Sequence, residues 1–151
     1  MEKKDSDIFR LIKVMNRLDG MYRMAAKVNG IKLNTLVLLY ALGDGEPHSQ
    51  KQICDEWLIP RTTLNTVVTE CVNDGYISLL GVDHSKEKII IVTKKGKDYI
   101  HKTMRKVYQA EHVAMEKTEQ NYPEPFTSAL EEFAACLQEE FNQKIMIPEN
   151  D

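Results

Sequence analysis

The chain has 151 residues, 42% hydrophobic and 28% charged, with a net charge of −3. This size and balance fit a single ordinary globular domain and exclude a disordered tail or a fibre. The charge is unevenly spread: residues 1–59 hold 9 basic and 8 acidic side chains, residues 60–106 hold 9 and 5, and residues 107–151 hold 2 and 10. A basic middle beside an acidic end lets one surface approach a polyanion while the other stays clear of it.

The opening MEKKDSDIFR has no apolar segment behind its lysines. The longest apolar run, residues 36–42, falls far short of the roughly 20 residues that a bilayer span needs, so a cytoplasmic location without membrane contact is expected. Three cysteines, Cys54, Cys71 and Cys136, show no CxxC spacing, which argues against a disulfide framework and a zinc knuckle.

From residue 5 to about 28, Ile8, Leu11, Ile12, Met15, Leu18, Tyr22 and Ala25 recur at three- and four-residue intervals and predict a long amphipathic helix ending before Asn29-Gly30. TLVLLYAL predicts a second helix, apolar nearly all round and therefore central, with Asn34 as N-cap and Gly43 just past its end. Ser49 followed by Gln52 has the form of a capping box for a short third helix whose inward face is Ile53, Cys54 and Trp57. Pro60 suits the first position of a fourth helix, in which Leu64, Val67, Val68, Cys71 and Val72 form a helical stripe; Gly75 ends it.

With that stripe inward, Arg61, Thr62, Asn65, Thr66 and Thr69 point outward and Thr63 lies at the margin. The outer face is short, polar and nearly uncharged. Side chains of this kind let a helix enter a DNA major groove, where hydroxyls and amides reach phosphates or base edges. Two short helices joined by a tight turn, the second bearing such a face, form a helix-turn-helix pattern.

Residues 76–80 and 89–92 are strand-like runs separated by GVDHSKEK and should pair as a hairpin. Its tip is expected to hold Asp83, His84, Ser85, Lys86 and Lys88, a basic loop placed to meet phosphate, which supplies affinity without sequence information. Thr93 is the expected N-cap of a long helix to about residue 120, with Ile100, Met104, Val107, Tyr108 and Met115 in its stripe. Tyr122, Pro123 and Pro125 break it, and a last helix over 127–142 carries Leu130, Phe133, Ala134, Leu137 and Phe141 on one face.

The fold expected is therefore mainly α (α+β): a long helix, three short helices, a β-hairpin and two long helices in one domain. In this order, "IPRTTLNTVVTECVNDGYISLL" resembles the recognition helix and wing entry of the MarR family of winged helix-turn-helix transcriptional regulators, and "IIIVTKKGKDYI" is similar to its last wing strand and following helix start. The resemblance covers roughly residues 5–142. It implies a homodimer held by helices at 5–30 and 97–142, around a DNA-binding lobe at 31–96. It also implies a pseudo-palindromic double-stranded DNA operator and a small-molecule effector that shifts the spacing of the two recognition helices, most simply as a repressor. Where the family carries an Asp-Arg-Arg type wing motif, this chain has His84, Ser85 and Lys86, with Asp83 one residue early; the wing is either longer or grips less firmly.

Other chemistries have weaker support. Cys54 and Cys71 lie on apolar stripes and Cys136 sits between Phe133 and Leu137, so all three read as buried thiols rather than as a redox sensor. His101 and His112 are about three helical turns apart, too far to share a metal, while His48 is expected in a turn and His84 on the wing. There is no Gly-rich phosphate loop, HExxH or GxSxG, so no enzyme, cofactor or metal is expected. The main alternative is a winged-helix module that binds protein instead of DNA; a redox- or metal-responsive sensor of the same fold is another.

Overall fold

The computed structural model describes residues 3–146 other than 83 and 85. It contains two compact units, 1–107 and 108–151.

The first unit begins with α1 (Lys3–Val28) and α2 (Leu33–Ala41). Gly30, at φ +68, ends α1: its N–H reaches the Lys27 carbonyl at 3.1 Å, and the Ile31 N–H reaches that of Ala26 at 3.1 Å. This paired closure requires a left-handed residue, which glycine adopts without a Cβ penalty. Lys32, extended at ψ 149, is the N-cap of α2, and Asn34 lies inside the helix rather than capping it. Leu36, Leu38, Leu39 and Leu42 are fully buried. Each fully enclosed leucine contributes about 2 kcal/mol relative to exposure.

A two-residue strand, β1 (His48–Ser49), leads into α3 (Gln50–Trp57) and was not legible as a strand. Ser49 Oγ accepts from the Gln52 N–H at 3.0 Å, as the capping box requires. The Gln52 side-chain amide donates forward to Glu56 at 2.9 Å. Leu58, at φ 48, and Ile59 close the helix onto the Cys54 carbonyl. Pro60 then serves as N-cap of α4 (Arg61–Asn73) rather than as its first residue, because its ψ of 135 is extended. On α4, Leu64, Val67, Val68 and Cys71 are buried, while Val72 at the end of the expected stripe is 36% exposed.

Strands β2 (Ile77–Gly81) and β3 (Lys88–Val92) form the wing, and β3 is central in an antiparallel sheet ordered β1-β3-β2. Ile77 pairs with Val92 and Gly81 with Lys88, while His48 pairs with Ile90 on the other side of β3. Ile77, Ile90 and Val92 close the core from this side. The next helix, α5 (Lys94–Asn121), contributes Ile100, Met104 and Val107.

The entry to α5 is tied to the end of α4. Gly75, at φ +74, forms a second paired closure, in which its N–H reaches Val72 and the Tyr76 N–H reaches Cys71, both at 2.9 Å. The Thr93 hydroxyl accepts from the Gly96 N–H at 3.0 Å and donates to the Gly75 carbonyl at 2.7 Å, so the expected N-cap also latches the two helices. A Cβ on Gly96 would lie 1.9 Å from the Tyr76 carbonyl oxygen. Only glycine permits this approach.

The second unit holds the end of α5, then α6 (Phe126–Phe141) and a π-helical turn, Asn142–Met146. No residue of α6 is buried: Phe133 and Leu137 are half-buried, and Leu130 and Phe141 are exposed. Cys136 is exposed as well, contrary to expectation, because it lies off the Phe133–Leu137 line. The stripe of α1 is largely open as well, with Ile8, Ile12, Met15 and Leu18 exposed and Leu11, Tyr22 and Ala25 half-buried.

Candidate nucleic-acid interface and aromatic cavity

Burial of Leu64, Val67, Val68 and Cys71 fixes the rotation of α4. Arg61, Thr62, Asn65, Thr66 and Thr69 are consequently exposed, and Thr63 is half-buried. Thr66 donates its hydroxyl to the Thr62 carbonyl at 3.1 Å and Thr69 to that of Asn65 at 2.8 Å, which orients both side chains along the helix. At the far end of α4, the Lys95 ammonium donates to the Asp74 carbonyl at 2.6 Å and lies 5.1 Å from the Tyr76 ring centre. A cation there complements the negative end of the helix dipole.

On the wing, His84 and Lys86 are exposed, and His84 adopts φ 60, the left-handed conformation of a tight turn. Lys88 belongs to β3 opposite Gly81, not to the tip, because the ladder extends that far. Its side chain is still exposed. Asp83 and Ser85 lie outside the described residues.

Burial, followed by the nearby Asp74 and Glu70 carboxylates, pushes the Cys71 thiol up to about 11. That disfavours the thiolate on which oxidant sensing depends. His48 is not in a solvated turn: its Nε2 faces the Asp44 carboxylate at 2.9 and 3.0 Å, and its side chain is largely enclosed. The hydrogen bond to His48, then that to the Glu46 N–H, holds the Asp44 carboxyl below its ordinary value. Among the described residues no group of three His, Cys, Asp or Glu side chains is placed to hold a metal, and no helix is long and apolar enough to cross a membrane.

A cavity of about 310 Å³ opens where α1, α2 and α3 meet. Tyr22, Tyr40 and Trp57 wall it, Tyr22 edge-on to Tyr40 at 6.3 Å and Tyr40 to Trp57 at 5.7 Å. Leu33, Leu36 and Val37 supply aliphatic lining, and Asp19 supplies a carboxylate. Trp57, expected to point into the core, is 40% exposed because it forms this wall. Sequence reasoning singled out neither Asp19 nor Tyr40, since the lining comes from three elements that share no spacing. A different groove, of about 430 Å³, is lined by Asn29, His101, Lys102, Arg105 and Lys106 and is strongly cationic.

The comparisons with known proteins agree with this architecture. Residues 29–86 match the model of the MarR family. A MarR family regulator from Neisseria meningitidis is similar over 97% of this chain and 98% of its own, at 18% identity and a TM-score of 0.72. Staphylococcus aureus MarR, solved with salicylate and kanamycin, is similar over 92% and 95%, at 15% identity and a TM-score of 0.68. NadR, solved with 4-hydroxyphenylacetate, is similar over 86% and 95%, at 15% identity and a TM-score of 0.63. No curated protein matches the sequence. Residues 29–86 are thus similar in sequence to the MarR family, and the chain as a whole has the MarR-type fold of the Neisseria meningitidis regulator.

Proposed function

We propose that the chain is a cytoplasmic, dimeric transcriptional regulator, acting as a repressor, that binds pseudo-palindromic DNA through α4 and its wing. The observation that carries this reading is the outer face of α4: exposed, short, hydrogen-bonding and nearly uncharged, over an inner face buried at Leu64, Val67, Val68 and Cys71, within the segment that matches the family. In this reading Arg61, Thr62, Thr63, Asn65, Thr66 and Thr69 meet the major groove, and the wing residues Asp83, His84, Ser85, Lys86 and Lys88 hold the flanking backbone. The unburied apolar stripes of α1 and α6 support a homodimer, whose two recognition helices would enter major grooves about 34 Å apart. The aromatic cavity supports a small-molecule effector, which acts only by binding one spacing of those helices better than another.

The test is anisotropy of the full chain against DNA selected from a random pool, with a scrambled competitor at two salt concentrations. Asn65→Ala or Thr66→Ala should abolish preference for the selected sequence while leaving nonspecific binding intact. Lys86→Ala with Lys88→Ala should weaken binding to all sequences and make its salt dependence shallower. Negligible DNA affinity even at low salt would instead favour a winged helix that binds protein.

A further inference from the structure

Among the lining side chains of the aromatic cavity, none is a lysine, arginine or histidine: they are three aromatic rings, three aliphatic side chains and the Asp19 carboxylate. The faces of aromatic rings are electron-rich and attract cations, most strongly where water is excluded. A carboxylate ligand would find no cationic partner among these groups and would face Asp19 as a like charge. A neutral ligand would gain burial alone. Asp19 is ion-paired with Arg23 one turn along α1, but both side chains remain half or more exposed, and Arg23 does not line the cavity. A ligand cation can therefore replace or share that partner.

We infer that this cavity selects an organic cation, with its apolar body against Leu33, Leu36 and Val37 and its protonated amine among Tyr22, Tyr40, Trp57 and Asp19. The inference rests on reading the cavity as the effector site and adds the chemical class of the effector. It also separates this cavity from the groove at Lys102, Arg105 and Lys106, whose charge suits the opposite class of ligand.

Trp57 is the sole tryptophan, so its fluorescence reports occupancy in the intact protein. The probes are tyramine, 4-ethylphenol and 4-hydroxyphenylacetate, which share one phenol ring and carry positive, zero and negative charge at neutral pH. Tyramine should bind about tenfold more tightly than 4-ethylphenol, and 4-hydroxyphenylacetate more weakly than either. Asp19→Asn should bring tyramine toward the neutral probe without moving 4-ethylphenol, and Arg23→Gln should strengthen tyramine. Equal affinities, tightest binding of the acid, no Trp57 response to any probe, or a tyramine preference that survives Asp19→Asn would each overturn the inference. Parallel anisotropy with DNA separates the two readings. Tyramine that binds in the expected order without altering DNA affinity supports the cation site and removes the effector role; DNA release by the acid without a Trp57 response places the effector site elsewhere and likewise overturns the effector reading of this cavity.

Discussion

Leu38 in the winged lobe and Leu130 in α6 are both leucines on the apolar surface of a helix, yet Leu38 is fully enclosed and Leu130 is 40% exposed. The lobe closes its core with its own chain: α2 packs against α4, and α4 against α3 and β2. In α6 the apolar stripe ends at an open face with no buried residue. A repeating apolar pattern thus states which side of a helix must be covered without stating whose surface covers it.

The contrast breaks most severely at the latch. Gly96→Ala should cost about 3 kcal/mol or more, because the added carbon meets backbone rather than a movable side chain. Urea denaturation would check this, and a loss below about 1 kcal/mol would show that the α4–α5 junction yields easily. Next, Leu38→Ala should lower stability by roughly 3 kcal/mol at every protein concentration. Leu130→Ala should change the unfolding of dilute protein by less than about 0.5 kcal/mol and instead weaken self-association in sedimentation. Similar, concentration-independent losses for both would erase the distinction between the regions.

Thiol chemistry sharpens the comparison. With its pKa near 11, buried Cys71 holds on the order of 0.1% thiolate at about pH 8, whereas Cys136 is exposed. Iodoacetamide followed by peptide mapping should find Cys136 alkylated at least about 100-fold faster in dilute protein; comparable rates would mean that the lobe opens readily. The smallest effect is confined to the lobe. Asp44 has a depressed carboxyl, so its contribution to stability is present above the ordinary value of 3.8 and is lost as pH falls through the lower folded value. Asp44→Asn should therefore lower the urea midpoint slightly at about pH 6, with the difference from the parent shrinking toward about pH 3. A difference that does not vary with pH would assign the effect to packing instead.

Helix order, the wing and both paired closures were legible because they depend on local signals: periodicity, Gly30 and Gly75, Ser49 and Thr93. The errors have a common origin in distant partners. β1 is only two residues long and exists through its pairing with Ile89 and Ile90, far along the chain. Trp57 and Cys136 sit beside apolar positions, but only three-dimensional packing decides whether anything covers them. The outward face of α4 could be read because four neighbours on one helix face the core; the aromatic cavity could not, because three separate helices build it.

The two back-bonded threonines of α4 have a consequence for recognition. With their hydroxyl hydrogens directed at Thr62 and Asn65, Thr66 and Thr69 present an acceptor lone pair and a methyl group but no free donor. Docked as proposed, such side chains favour the amino hydrogens of adenine and cytosine and the methyl of thymine, and they gain nothing from the acceptor edge of guanine. These two positions would read DNA by what they decline to donate, leaving donation to Arg61 and Asn65.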